Sequence, residues 1–128
     1  MSSPNSTVDS IRVCALEDIP DPGSREFSWG EGDWPLEFFV VRQGERAFAY
    51  LNRCPHAGHE LNWQPDRFLT NERDLILCQS HGARFTIAEG LCVLGPCPGA
   101  SLRSITLILR DGDVLISVRE LEALKAAV

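Results

Sequence analysis

Along most of this chain, apolar residues fall at every second position or in short unbroken runs, and Gly, Pro, Asn and Asp separate them. That spacing predicts strands, because successive side chains of a strand point to opposite faces. Residues 11–15 form a first short strand, ended by the turn-rich stretch 17–23. Residues 25–29 alternate as a second, before Gly30-Glu31-Gly32-Asp33 interrupts. Leu36-Glu37-Phe38-Phe39-Val40-Val41-Arg42 is rich in aromatic and β-branched residues, hence a strand, and Gln43-Gly44 turns it into a second arm over 46–52. Further on, 68–70 and 74–77 read as a hairpin around Asn71-Glu72-Arg73, and 84–87 as a strand turned back by Glu89-Gly90 toward 91–94. Residues 102–110 alternate, with Ile105, Leu107 and Leu109 on one face, and Asp111-Gly112 marks a tight hairpin into 114–118. Only the tail, 119–128, spaces Leu121, Leu124 and Val128 at helical intervals. Residues 1–7 are polar and expected to be disordered. The pattern is all-β: an antiparallel sandwich base with residues 46–99 inserted as a subdomain.

Composition narrows the function classes. A chain of 128 residues is one domain, and 44% hydrophobic with 23% charged residues is ordinary for a soluble protein. Net charge is −6, and all of it sits in residues 1–45, which hold nine acids against three bases; the remainder balances nine against nine. Nucleic acid is thereby excluded as a partner, since phosphate binding needs clustered Lys and Arg. The acidic third either steers docking to basic partners or simply keeps the surface solvated. No apolar run approaches the ~20 residues of a membrane helix, and the first residues lack a signal peptide's basic start and apolar core. The expectation is a cytoplasmic protein, monomeric and away from membranes.

The chemistry is concentrated between Cys54 and Phe85. Cys54-Pro55-His56 and Cys78-Gln79-Ser80-His81-Gly82 are separated by residues 57–77, and this stretch holds all three histidines of the chain. Two thiolates and two imidazoles in paired short turns suit a soft, tetrahedral metal centre. Pro55 fixes a turn between Cys54 and His56, and Gly82 lets the backbone bend closely after His81. Each Cys follows a predicted strand, so two loops are aimed at one point by rigid elements. The same four residues could hold structural zinc, although zinc sites usually space both pairs by two or more residues. Of the other cysteines, Cys14 reads as a small core hydrophobe. Cys92 and Cys97 read as reduced thiols, with a staple between them or an S–H donor from Cys97 as alternatives. His59 is expected to be an exposed loop residue, and Trp34 and Trp63 to pack in the core or against the subdomain.

The ordered set Cys54, His56, Cys78, His81, Gly82 resembles the motif of the Rieske proteins, and Gly95-Pro96-Cys97-Pro98-Gly99 falls where their proline-bearing covering loop is expected. The resemblance covers roughly residues 10–118. It implies a Rieske-like sandwich with a cluster-binding subdomain at about 46–99, and one [2Fe–2S] cluster per chain. In that scheme Cys54 and Cys78 hold the inner iron; His56 and His81 hold the outer one. Three departures stand out. The spacer is longer than usual. His59 and Ser80 replace the cysteines of the loop-pinning disulfide found in high-potential relatives, and Ala83 and Phe85 replace the Ser and Tyr that donate hydroxyl hydrogen bonds there.

Two ferric ions, two sulfides, two thiolates and two neutral imidazoles sum to zero charge, so reduction is easier than in an all-Cys cluster. Without the two hydroxyl donors, the potential is expected at the low end of the Rieske range, about −150 mV rather than +300 mV. No Rossmann fingerprint is present, and His59 alone cannot build a mononuclear iron site. The chain is therefore read as a carrier and not an enzyme: one electron in from a flavin reductase, out to an oxygenase. The alternative is a small Rieske subunit of another redox complex, of the nitrite-reductase type, or a redox sensor.

Overall fold

The computed structural model of the protein describes residues 10–55, 60–80, 82–96 and 99–127. The polar stretch 1–7 lies outside them. Among the described residues, ten short strands form three antiparallel sheets: β1 (Ser10–Ala15), β10 (Asp113–Ser117) and β9 (Ile108–Arg110) in the first; β2 (Gly23–Trp29), β3 (Leu36–Gln43), β4 (Arg46–Leu51) and β8 (Ser104–Ile105) in the second; β5 (Ile76–Leu77), β6 (Arg84–Phe85) and β7 (Cys92–Leu94) in the third. A 3-10 turn, Leu16–Asp18, follows β1, and the tail forms helix α1, Val118–Ala127. The fold is all-β and antiparallel, as the alternation predicts.

The unbroken apolar run in β3 has a simple cause. Phe38 and Val40 point into a core shared with β1, β8, β10 and α1, where Cys14, Ile116 and Leu121 are also buried. Phe39 and Val41 point the other way, into a second core with Tyr50, Leu61, Phe68, Ile76 and Phe85. A strand covered on both faces has no polar face to show, so its sequence does not alternate. Phe39 and Phe68 stack face to face, their ring centroids 4.1 Å apart, and fasten the 61–77 region onto β3. Cys14 is the buried core residue its context predicts.

Two strand expectations are corrected. Residues 102–110 do not run as one strand. Ile105 pairs with Ala49 in the second sheet, whereas Ile108 pairs with Leu115 in the first. Between them the chain crosses from sheet to sheet, and the Thr106 N–H is taken by the Glu120 carboxylate at 3.1 Å instead of a ladder partner. Ile105 is consequently buried while Leu109 is exposed. The 68–77 hairpin is present, with the Leu69–Ile76 bridge flanked by Thr70 N–H to Leu75 O and Leu77 N–H to Phe68 O and its turn closed by Arg73 N–H to Thr70 O, but residues 68–70 do not form a regular strand.

Tyr50, the chain's only tyrosine, is buried, and its hydroxyl donates to the carbonyl of Ile87. Burial, with a smaller contribution from nearby Glu89, pushes its pKa up to about 12 from 10.0. The folded state thus keeps a proton that the unfolded chain releases, so this contribution to stability is whole below pH 10 and is lost as pH rises from there through about 12. Tyr50→Phe should cost about 1–2 kcal/mol at neutral pH by leaving the Ile87 carbonyl unpaired. It should also abolish this alkaline loss, which urea titrations at stepped pH will read.

Candidate metal centre

The loop that carries Cys54 grows out of β4. One further rung, Asn52 N–H to Glu37 O at 2.9 Å, continues the strand past Leu51, and Arg53 N–H to Leu51 O at 2.9 Å then turns the chain. Cys54 follows directly and is buried. The second loop leaves β5 at Cys78, which is fully buried. Its turn is closed twice, by Cys78 N–H to Ala83 O at 2.9 Å and by Gly82 N–H to Cys78 O at 3.0 Å. Gly82 sits at φ +74°, in the left-handed region where a Cβ is costly, which explains a glycine at this place.

Cys54 and Cys78 belong to the same buried cluster, together with Ala83, Phe85 and Cys92. Two sulfurs withdrawn from water, one of them at the root of a tight turn, form a donor set suited to a soft metal or an iron–sulfur unit, and they fit such a group. His56, His59, His81 and Cys97 lie outside the described residues. Among the described residues no three metal-binding side chains are gathered. Cys92 is buried and its S–H donates to Leu94 O at 3.4 Å.

The chain after β7 is pressed against the second loop. Gly95 has φ +106°, and a Cβ there would lie 2.7 Å from Ala83 Cα. Ala83 and Phe85, the positions without hydroxyls, are both fully buried.

The two loops are also tied at their bases. Asn52 Oδ1 accepts from Leu61 N–H at 2.8 Å, and Leu61 O accepts from Gln79 N–H at 2.8 Å. Sequence reading missed this tie, because an Asn–backbone contact spanning a loop leaves no periodic trace. Its one signal is an asparagine at the end of a strand, two residues before a cysteine.

Trp34 and Trp63 do not pack inside. They are 85% and 71% exposed. Trp34 lies in the polar, glycine-rich connection between β2 and β3, and Trp63 in the loop after Leu61; neither segment has a strand partner to bury it. Two acidic residues of the N-terminal third, Glu26 and Glu37, lie near Glu60. Partial desolvation raises the Glu60 carboxyl, with Glu37 and Glu26 adding to the shift.

The Rieske [2Fe-2S] domain family matches residues 9–117, and the chain belongs to that family. It is therefore an electron-transfer protein built around a [2Fe–2S] cluster. It is similar to the 3-phenylpropionate/cinnamic acid dioxygenase ferredoxin subunit of Photorhabdus laumondii subsp. laumondii, at 24% identity over 115 residues, covering 88% of this chain and 98% of that protein. Among solved structures, the ferredoxin of carbazole 1,9a-dioxygenase from Nocardioides aromaticivorans IC177 superposes with a TM-score of 0.65 at 24% identity, covering 84% of this chain and 96% of its own. A ferredoxin seen in a complex of reduced oxygenase and oxidized ferredoxin in carbazole 1,9a-dioxygenase gives 0.66 at 22% identity, covering 89% and 95%. Among the described residues, no helix is long and apolar enough to cross a membrane.

Proposed function

We propose that this chain is a soluble, monomeric, cytoplasmic ferredoxin that takes one electron from a flavin reductase and delivers it to an oxygenase. It does no catalysis of its own. Cys54 and Cys78 hold the inner iron of its cluster and His56 and His81 the outer one, and residues 46–99 act as the cluster-binding unit of a single domain. The observation that carries the ligand assignment is the burial of Cys54 and Cys78 in one apolar cluster, with Cys78 at the root of a hydrogen-bonded turn. Matching ferredoxins that serve dioxygenases support the partner class.

The bound cluster supplies a reversible site for one electron. The protein's own contribution is placement and electrostatics. Burial of the two thiolates keeps water from the inner side, and the closed turn at Cys78 fixes the direction in which its sulfur points. Ala83 and Phe85 offer no hydroxyl to a sulfur, which leaves charge added on reduction less stabilised and keeps the potential low. Cys92 and Cys97 act as reduced thiols packed as small hydrophobes.

Anaerobically purified protein should contain two irons and two acid-labile sulfides per chain and have a midpoint near about −150 mV. A flavin reductase with NADH should reduce it rapidly. Ala83→Ser should move the midpoint upward by restoring a donor. Stoichiometric zinc without sulfide, or a midpoint near about +300 mV, overturns the reading.

A further inference from the structure

Between the two cysteines runs a path of only two hydrogen bonds. Asn52 stands two residues before Cys54, is 6% exposed, and accepts the Leu61 N–H on Oδ1. Leu61 is fully buried, and its carbonyl takes the N–H of Gln79, the residue after Cys78. The orientation of the Asn52 amide is forced, because the Leu61 N–H can only donate. The other half of the amide is used too: Nδ2 donates to Asn62 Oδ1 at 2.9 Å. Asn62 in turn donates to Glu26 Oε1 at 3.2 Å and to Gln64 O at 2.9 Å, which anchors the assembly on β2.

We propose that Asn52 is a positioning residue for the metal centre, whose side chain closes the first ligand loop at its base and, through Leu61, sets that loop's register against the second. The inference rests on the ligand assignment under Proposed function. Its physical content is that one planar group supplies an acceptor and a donor at fixed spacing. A leucine in its place would supply neither, an aspartate would supply the acceptor alone, and a serine is too short to span the same gap. An unclosed loop leaves Cys54 next to the end of β4 but lets the segment after it drift relative to Cys78. Cluster geometry then changes while the two cores, which Asn52 does not fill, remain.

The test loads wild type, Asn52→Leu, Asn52→Asp and Asn62→Ala with the cluster and reads three quantities: the EPR g-values of the reduced protein, the rate of cluster loss to a chelator, and the thermal midpoint. The proposal expects shifted g-values and at least about tenfold faster loss in Asn52→Leu. It expects Asn52→Asp, which retains the acceptor for Leu61, to lie nearer wild type on both, and Asn62→Ala to stay within about threefold of wild type. A lowered thermal midpoint with unchanged g-values and loss rate overturns it, since that is what a merely structural residue gives. Where Asn52→Leu does not fold, Asn52→Ser is read by the same two signatures, and wild-type values in it overturn the proposal equally. A wild type that carries no labile sulfide overturns the ligand assignment and this inference together. Loaded wild type with an indifferent Asn52 overturns the inference alone.

Discussion

Cys78→Ala should yield a folded but colourless protein. Cys78 is fully buried at the root of the second loop, and both hydrogen bonds that close its turn use its backbone, so the turn survives the change. What is lost is the sulfur. On the proposed ligand set the inner iron then has a single thiolate. Iron and acid-labile sulfide should fall at least about tenfold, with the visible absorption. Removing a small buried group should cost the apoprotein only about 1–2 kcal/mol. Cys14→Ala is the matched control. Cys14 is also buried, but in the other core, among Ile116, Val114 and Leu121. It should lose similar stability and keep its colour. A coloured Cys78→Ala protein with normal sulfide would remove Cys78 from the ligand set.

Gly95→Ala should be strongly destabilising for a single added methyl. Two costs coincide there. The backbone sits at φ +106°, a region that side chains rarely adopt, and the new Cβ would meet Ala83 Cα at 2.7 Å and Ala83 N at 3.1 Å. Those are backbone atoms of the turn just closed on Cys78, so neither side can yield by rotating a side chain. A loss of about 2–4 kcal/mol is expected. Gly112→Ala separates the two costs: its φ of +82° is comparable, yet nothing lies within 4 Å. It should lose only about 1–2 kcal/mol. Urea denaturation of the two variants measures the difference directly. Cluster loss should accelerate in Gly95→Ala and not in Gly112→Ala, because only the first pushes the chain away from the second ligand loop. Equal destabilisation of the two would mean that the approach of Gly95 to Ala83 is not a tight one.

Which parts of this were readable in the sequence follows from where the information resides. β3 and β4 were plain because burial on both faces writes a continuous apolar run, and because Gln43-Gly44 puts a glycine where the turn needs positive φ: Gly44 has φ +64°. The hairpin at Asp111-Gly112 was legible for the same reason, with both residues at positive φ. That Cys54 and Cys78 come together in one buried cluster was legible, because soft-metal ligation demands particular residue types at short spacing. The exposure of Trp34 and Trp63 was not. Size and apolarity argue for burial, and only the absence of a neighbouring strand decides against it. Nor was the break between β8 and β9, since residues 102–110 alternate throughout. The change of sheet depends on Glu120, fourteen residues away from the Thr106 N–H that it accepts. The Asn52–Leu61–Gln79 tie is invisible for a related reason: two of its three members act through backbone atoms, which every residue possesses.

The spacer between the ligand loops has a consequence apart from redox chemistry. β2 is the edge of its sheet, seven residues long, and an open edge invites pairing with a second chain. Here the outward N–H of Glu26 is taken by Asp66 Oδ1 at 2.9 Å, the Ser24 hydroxyl donates to Asp66 O at 2.8 Å, and Arg73 reaches over to Pro22 O at 2.8 Å. Asp66 achieves this from φ +63°, a conformation that aspartate tolerates better than most residues. The segment lies along the strand as a guard rail. A chain shortened through 64–74 could retain both buried cysteines and still fail in the test tube, by stacking edge to edge into aggregates.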